Sequence, residues 1–317
     1  MAADCLRDGR YVMGTVLEVT LCTTDAAQGQ PLSDVLFTSA LRLDSLLTTF
    51  SPDSPVSRLN AYAGTGAQAV PPEVLDVLTL SLRYWQLTGG TFDITVGPLM
   101  TLWQQAATVH RLPSPVALQQ ARACIGSEHI KLLPNGTVAL RRHGMGLDLG
   151  GIGKGYALDQ LVNLLRRGAA CCAPTLNALL DFGQSSIWAL GRPTDAEGWR
   201  LLLRQPDGAP AGVVTLRDQA LSVSGSLGQS FAVNGRQYGH VIDPRTGAPL
   251  QRNLSASVIA PNAAQAEALS KALLILGEQQ GIALLQRLPG VEGLLIEAHG
   301  QRWMTTGWIQ ATAFVPL

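Results

Sequence analysis

Residues 148–157, DLGGIGKGYA, combine four glycines with one lysine, which is a pattern suited to anion binding. The order predicts the end of a strand, a glycine-rich turn and then a helix. Backbone amides in such a turn can approach a phosphate, the helix N-terminus adds partial positive charge, and Lys154 adds a full charge. The spacing matches neither a Walker A motif nor GxGxxG with a strand-borne acid. A tight turn with a surface lysine explains the same residues as well.

A second polar stretch is residues 240–247, HVIDPRTG. A short strand leads into a turn with proline at its second position and glycine at its end. Asp243 can cap that turn, and His240 can be an ordinary core histidine. The density of polar groups within eight residues favours a binding or catalytic loop.

Two further stretches have both structural and functional interpretations. Residues 90–99, GTFDITVGPL, precede Trp103 and suit a pocket for a flat ring, or else a helix-to-helix connection with Phe92 and Trp103 in the core. Glu267 and Lys271 lie four residues apart on one face of a helix. By themselves they suggest an exposed ion pair.

The elements that must position these residues follow from hydrophobic periodicity and turn signals. We predict strands at 11–22, around 176–190 and around 199–216, a hairpin at 128–148, and helices at 33–48, 72–88, from Ser114-Pro115, at 151–166, and from Asn262 to Gly277. The predicted buried face of the first helix is Val35, Leu36, Leu43, Leu46 and Leu47. Because the order lacks a regular βαβ cadence, it favours an α+β fold over a doubly wound parallel sheet. Residues 168–174 are the best candidate for a loop between two lobes.

Composition excludes several classes of function. The 317 residues are 46% hydrophobic and 15% charged, which is typical of a folded chain with a sizeable core. The formal net charge is zero, so nucleic acid is not an expected partner. No run approaches the roughly 20 apolar residues that span a bilayer. The five cysteines have no zinc-like spacing, and we interpret them as mostly buried thiols with one vicinal pair.

Taken together, the stretches resemble the FAD:protein FMN transferases of the ApbE type, over residues 11–317 as one domain. The matching landmarks occur in the family's order. They are Met13-Gly14-Thr15, Phe50-Ser51 with Ser57-Arg58-Leu59-Asn60, Phe92 to Trp103, Asp148 to Tyr156, His240 to Gly247, and Ser255 to Pro261.

The resemblance implies mainly antiparallel sheets with packed helices and a flavin cleft between two lobes. It also implies that FAD is cleaved at its pyrophosphate and FMN is attached to a Thr or Ser hydroxyl in the flavinylation motif of a partner flavoprotein. The implied catalytic residues are His240 and Asp243. The implied FAD-binding residues are Met13, Phe92, Asp93, Gly151, Lys154, Ser224, His240, Arg245 and Thr246.

The family's magnesium positions correspond to the backbone of Gly153 and to Glu267 and Lys271. Here the sequence departs from the family, which has Asp and Thr on the helix. Glu is one methylene longer, and a protonated lysine cannot ligate a cation, so Lys271 is expected to replace the ion. The alternative to an active transferase is therefore a repurposed FAD-binding protein with a degenerate metal site.

Family members usually work outside the cytoplasm as lipoproteins, so the resemblance implies the periplasm. Residues 1–11 lack the apolar core of a signal peptide, and Asp4 before Cys5 does not fit a lipobox, although a leader could have been removed, so the sequence leaves the compartment open.

Overall fold

The computed structural model describes residues 4–23, 26–172, 177–227, 230–233 and 235–317. Eight α-helices occur in these ranges. They are α1 Gly29–Leu47, α2 Pro55–Ala61, α3 Pro72–Leu87, α4 Gly97–Thr108, α5 Pro115–Ala123, α6 Gly153–Cys172, α7 Ala263–Leu285 and α8 Trp308–Thr312.

The same residues form eighteen strands, and every strand pair is antiparallel. The first nine are β1 Asp4–Val12, β2 Thr15–Thr23, β3 Gln68–Ala69, β4 Ile130–Leu132, β5 Thr137–Leu140, β6 Asn177–Phe182, β7 Ser186–Leu190, β8 Trp199–Arg204 and β9 Pro210–Leu216. The others are β10 Gln219–Gly225, β11 Phe231–Val233, β12 Arg236–Tyr238, β13 Ile242–Asp243, β14 Ala248–Pro249, β15 Leu254–Ala260, β16 Glu292–Glu297, β17 Arg302–Met304 and β18 Val315–Pro316. The predicted α+β class with mainly antiparallel sheets is confirmed.

A central sheet of eight strands, in the order β1-β2-β6-β7-β10-β15-β16-β17, is buried on both faces. Strand side chains alternate between faces, so Trp188 packs into the core beneath the helices, whereas Ile187 and Ala189 pack into a second core. Helices α1, α6 and α7 cover the first face, and α3 packs against α1 and α7. The three-stranded sheet β18-β9-β8 and α8 cover the second. Burial on both faces fixes the strand register, since a one-residue slip would exchange the two cores.

Helix α7 is anchored by α6. The carboxylate of Asp159 in α6 accepts hydrogen bonds from the first two amides of α7, Ala263 N (2.7 Å) and Ala264 N (3.0 Å), and from Trp188 Nε1 (3.0 Å). Asn262 caps the same helix through Gln265 N at 2.9 Å, as expected for an N-cap residue. Together these contacts satisfy backbone donors that helix geometry leaves unpaired.

Several predicted boundaries hold, and three strands need correction. Ser114 caps α5 through Ala117 N at 3.1 Å, and Gly277 breaks α7 with φ of 72°. The predicted strand 11–22 is wrong, because Met13 and Gly14 turn the chain with positive φ, so β1 and β2 form a hairpin. The stretches 176–190 and 199–216 likewise divide, into β6–β7 and β8–β9. A continuous apolar pattern does not reveal a tight turn of this kind.

The first helix and the proposed lobe boundary also differ from expectation. Val35 is 55% exposed, and the buried face of α1 uses Phe37 and Ala40 instead. Helix α6 continues to Cys172, so most of the predicted loop 168–174 is helical, and residues 173–174 lie outside the described residues. The division into two lobes stays a prediction. No helix in the described parts of the chain is both long and apolar enough to cross a membrane.

The interpretation of the cysteines as thiols is wrong for two of them. Cys5 and Cys22 face each other across β1 and β2 and form a disulfide. Cys124 is a free thiol. The side chains of Cys171 and Cys172 lie outside the described residues. Cys5 lies outside the strand predicted at 11–22, and its pairing with Cys22 depends on a hairpin that the sequence did not reveal.

Replacing both cysteines, as Cys5→Ser with Cys22→Ser, should lower the free energy of unfolding by about 3 kcal/mol. The disulfide closes a 17-residue separation, and its loss returns that entropy to the unfolded chain. Urea unfolding of the oxidised protein and the double variant measures the difference. A Cys124→Ser variant is the matched control and should be near neutral. Equal stability of the double variant and the oxidised parent would contradict the disulfide.

Asp159 should make stability depend on pH. Burial raises its pKa from 3.8 to about 6, although its amide and indole donors oppose the shift. The unfolded chain therefore ionises first as pH rises, and stability falls between about pH 4 and 6. Asp159→Asn removes this titration but keeps one acceptor oxygen. We expect the free energy of unfolding of the variant, minus that of the parent, to rise by about 2–3 kcal/mol from pH 4 to pH 7. Urea unfolding at several pH values measures it, and a falling difference would show that the ionised carboxylate is favoured in the fold.

Candidate active site

One cleft, with a volume of about 820 Å³, brings together residues from across the chain. The β1–β2 turn, the end of α1, the 91–96 loop, the glycine turn, the end of β10, the 240–244 loop and α7 all contribute to its wall. The predicted site residues that line it are Met13, Phe92, Asp93, Gly151, Gly153, Lys154, Ser224, His240, Glu267 and Lys271. The three others, Asp243, Arg245 and Thr246, lie in the same loop as His240 but outside the lining.

The glycine turn is organised by its own backbone. Asp148 Oδ1 accepts a hydrogen bond from Gly150 N at 2.7 Å, and Gly153 N bonds to Leu149 O at 2.7 Å, so that α6 begins at Gly153. The predicted helix start is therefore in place. The predicted strand end is wrong, because β5 already ends at Leu140 and an irregular segment leads into the turn. Lys154 stands in the first turn of α6, where the helix dipole and its own ammonium add positive potential.

The starts of α6 and α7 touch at Gly155. A Cβ at this position would overlap the carbonyl of Ala263, so only glycine permits the approach. The Gly155 N–H donates to Glu267 Oε2 at 2.6 Å, and Glu267 is only 1% exposed. The carboxylate of Glu267 therefore joins the two helices. It is not the exposed partner of Lys271 that its spacing alone suggests.

Both lysines in the cleft bind serine hydroxyls. Lys154 Nζ donates to Ser185 Oγ at 2.6 Å, and Lys271 Nζ donates to Ser224 Oγ at 2.7 Å. Burial lowers the pKa of Lys271, the nearby charge of Glu267 opposes that shift, and Lys154 reinforces it. The ammonium of Lys271 is thus held in the wall of the cleft without full hydration.

The three positions that correspond to a magnesium site meet in the cleft, but their chemistry does not suit the ion. One carboxylate oxygen of Glu267 is committed to Gly155 N–H, and Lys271 brings a cation. Mg²⁺ prefers several oxygen ligands in octahedral geometry. Among the described residues, no group of three or more His, Cys, Asp or Glu side chains is arranged to hold a metal.

In the 240–247 loop, the two implied catalytic residues have different surroundings. His240 is exposed and lines the cleft. Asp243 is 8% exposed, and its carboxylate accepts hydrogen bonds from Arg245 Nε (3.0 Å) and Nη2 (2.9 Å). The amides of Thr246 and Gly247 donate to Asp243 O, which closes the turn. Asp243 therefore shapes the loop that presents His240.

The 90–99 stretch contributes both to the lining of the cleft and to the core. Phe92 lines the cleft, and a Cβ at Gly151 would lie 3.2 Å from its ring. Asp93 accepts from Thr95 Oγ1 at 2.6 Å and from Ser127 Oγ at 2.7 Å, so it fixes the loop. Trp103 belongs to the core, where its ring stacks 5.6 Å from Tyr238.

Sequence reasoning missed several residues of the lining. Ser185 anchors Lys154, and Asp44 Oδ2 accepts from Met13 N at 2.9 Å. Thr91 Oγ1 is buried without a hydrogen-bond partner among the described residues, and Phe50 is 96% exposed at the rim. Phe50 alone carried a signal, since it belongs to a landmark of the resemblance. Ser185, Asp44 and Thr91 are of common types in elements whose contacts form only in the fold.

Comparison with protein families gives one match over most of the chain, since the model of the ApbE family matches residues 13–295. A curated relative from Treponema pallidum (strain Nichols), named FAD:protein FMN transferase, is 33% identical over 302 residues, which cover 87% of this chain and 82% of the relative. One of the same name from Salmonella typhimurium (strain LT2) is 29% identical over 303 residues, covering 92% and 84%.

Solved structures share the whole fold. The apo form of the Pseudomonas stutzeri flavinyl transferase ApbE superposes with a TM-score of 0.84 at 26% identity, covering 98% of each chain. The ApbE protein of Thermotoga maritima has a TM-score of 0.87 at 22% identity, covering 97% of this chain and 99% of its own, and this similarity concerns the fold alone.

Proposed function

The chain belongs to the ApbE family, and from that premise we propose that it is an FAD:protein FMN transferase. The observation that carries this assignment is the match to curated transferases over more than four fifths of both chains. The cleft agrees with it, because its volume of about 820 Å³ lies within the usual range of ligand sites, about 300–1,000 Å³. FAD is the substrate, and a flavoprotein is the acceptor.

The proposed reaction is a phosphoryl transfer. A Thr or Ser hydroxyl in a flavinylation motif of the acceptor attacks the phosphorus on the FMN side of the FAD pyrophosphate. The bond from that phosphorus to the bridging oxygen breaks, AMP leaves, and the hydroxyl proton passes to a base. Catalysis of this kind depends on holding the pyrophosphate and neutralising charge on its oxygens.

The positions of the cleft residues suggest how the work is divided. Lys154 and the amides around Gly151 lie at the N-terminus of α6, which suits the pyrophosphate. Met13 and Phe92 provide apolar surface for the flavin ring, and Ser224 provides a hydroxyl in the same lining. These residues bind and orient FAD and limit the access of water to the reacting phosphorus.

The 240–247 loop provides the proton acceptor in this proposal. The imidazole of His240, exposed in the lining, can accept the proton of the attacking hydroxyl, because imidazole is a common general base in enzymes. Asp243, Arg245 and Thr246 position His240, because their contacts close the turn behind it. Asp93 likewise orders the loop that carries Phe92.

Magnesium has no step in this proposal. In the family the ion neutralises phosphate charge, but the residues at its positions here, Glu267 and Lys271, do not suit it. Lys271 is also the observation that favours the second candidate function, an FAD-binding protein that does not transfer FMN. Turnover distinguishes the two candidates.

We also propose that the protein works in an oxidising compartment such as the periplasm. The disulfide between Cys5 and Cys22 supports this, because such bonds persist in secreted and periplasmic proteins and are rare in the cytosol. Fractionation of cells and alkylation of free thiols test it. Reduced Cys5 and Cys22 in the native protein would argue against it.

For the transfer itself, the purified chain is incubated with FAD and an acceptor domain that carries a Thr flavinylation motif. We expect the acceptor to gain the mass of FMN less one water, with release of an equal amount of AMP. Intact-mass spectrometry and chromatography measure the two products. An acceptor with Thr→Ala in the motif is the control. FAD binding without AMP or modified acceptor would favour the binding protein instead.

Variants of the 240–247 loop should separate chemistry from positioning. His240→Ala is expected to reduce the transfer rate by about 10²–10⁴-fold with little change in melting temperature, since its side chain is exposed. Asp243→Asn should weaken the hydrogen bonds from Arg245 and lower the free energy of unfolding by about 1 kcal/mol, with a smaller loss of transfer rate than His240→Ala. Stopped assays and thermal melts measure both effects. If His240→Ala keeps full activity, another group is the base.

A further inference from the structure

Lysine is scarce in this chain, and its distribution is uneven. Only three of the 23 Lys and Arg residues are lysines, and two of these three, Lys154 and Lys271, line the cleft. Lys131, in β4, is the third. The basic groups elsewhere on the surface are therefore almost all arginines. Lysine differs from arginine in carrying a compact point charge with three donors.

The two cleft lysines are joined through four serines. Ser224 Oγ lies 2.8 Å from Ser270 Oγ, which lies 3.0 Å from Ser222 Oγ, which in turn lies 3.2 Å from Ser185 O. We call this set the lysine–serine array. Its members are Lys154, Ser185, Ser222, Ser270, Ser224 and Lys271.

The lysine contact has one possible direction, because an ammonium only donates. Ser224 Oγ accepts from Lys271 Nζ, and either hydroxyl can donate in the contact between Ser224 and Ser270. Ser270 also contacts Glu267 O at 2.9 Å. The contact with Ser224 therefore occupies one of the three ammonium protons of Lys271.

Neither ammonium is paired with a carboxylate. The ion pairs between described residues involve arginine or histidine, and none includes Lys154 or Lys271. Both lysines are partly buried, and each keeps donors that its serine contact does not use. A partly buried ammonium with no carboxylate in direct contact is stabilised by an anionic ligand that provides the opposite charge.

The four carboxylates in the lining are occupied otherwise. Each accepts a backbone amide: Asp44 from Met13, Asp93 from Thr95, Asp148 from Gly150, and Glu267 from Gly155. Their charge is thus used to hold turns and helix starts. The two lysines keep donors that no carboxylate in the lining uses, and Lys154 stands at the N-terminus of α6.

We propose that Lys154 and Lys271, held by the lysine–serine array, bind the pyrophosphate of FAD directly and that this protein needs no divalent cation to do so. The inference rests on the proposed function for the identity of the ligand. The negative charge of a pyrophosphate is spread over several oxygens. Two separate ammonium groups can therefore bind different oxygens of one pyrophosphate, which a single carboxylate does not offer. Lys271 then occupies the position of the ion and supplies the positive charge itself.

The test uses inorganic pyrophosphate as the probe and the intact protein. Reductive methylation with ¹³C-formaldehyde labels the three lysines, and peptide mass spectrometry reports each one separately. We expect pyrophosphate in the presence of EDTA to protect Lys154 and Lys271 and to leave Lys131 unchanged. Protection that requires added Mg²⁺, or that omits Lys271, would overturn the proposal.

Calorimetric titration with FAD and with pyrophosphate gives the second measure. Affinity of the parent should be the same in EDTA and in Mg²⁺. Lys271→Met should lower the affinity for both ligands by about tenfold or more, and Lys271→Arg should retain part of that affinity. The control Lys131→Met should leave the affinity unchanged. Thermal melts establish that the variants fold. Unchanged affinity of a folded Lys271→Met protein would contradict the role of Lys271.

A reversal variant completes the design. Glu267→Asp with Lys271→Thr restores the oxygen ligands of the family, so FAD binding should become dependent on Mg²⁺ and be lost in EDTA. Because these assays measure binding without an acceptor, their outcome is separate from that of the transfer assay. Pyrophosphate binding in EDTA without FMN transfer would leave the array in place and reject the transferase. FMN transfer that occurs only with Mg²⁺ would support the transferase and reject the binding of pyrophosphate without a cation.

Discussion

The contact between the first turns of α6 and α7 determines the geometry of the cleft. At Gly155 the two backbones approach so closely that no side chain fits beside Ala263 O. Glu267 accepts the Gly155 amide, and Asp159 accepts the first amides of α7. Each helix start thus satisfies donors of the other. Because Lys154 and Lys271 extend from these same helices, the junction also sets where positive charge enters the cleft.

The junction is stable because it rests on a sheet that is buried on both faces. Helices α6 and α7 pack on one face, and the small sheet β18-β9-β8 packs on the other. Close packing of this kind leaves the helices little freedom to move, because even a volume change of one methylene group is felt in such a core. The binding loops can therefore be irregular, since rigid elements hold their ends. The 240–247 and 91–96 loops each add internal hydrogen bonds from an aspartate.

Glu267 and Lys271 have different roles although they share one face of α7. Residues four apart on a helix lie on the same side, so both side chains reach the α6 junction. Glu267 uses its carboxylate to join backbones, whereas Lys271 donates to Ser224 in the cleft. In the proposed binding mode, the ammonium of Lys271 provides positive charge without a metal, and Ser224 provides its acceptor.

The sequence by itself determined the fold class, most helices and the stretches that form the cleft. Helix caps such as Ser114 and Asn262, and the glycine turn before α6, follow from local chemistry that acts within a few residues. The tertiary structure alone decided the hairpin that pairs Cys5 with Cys22 and the serine contacts of the lysines. It also decided that Glu267 joins backbones instead of pairing with Lys271. These features depend on contacts between residues far apart in the chain, which neither periodicity nor spacing records.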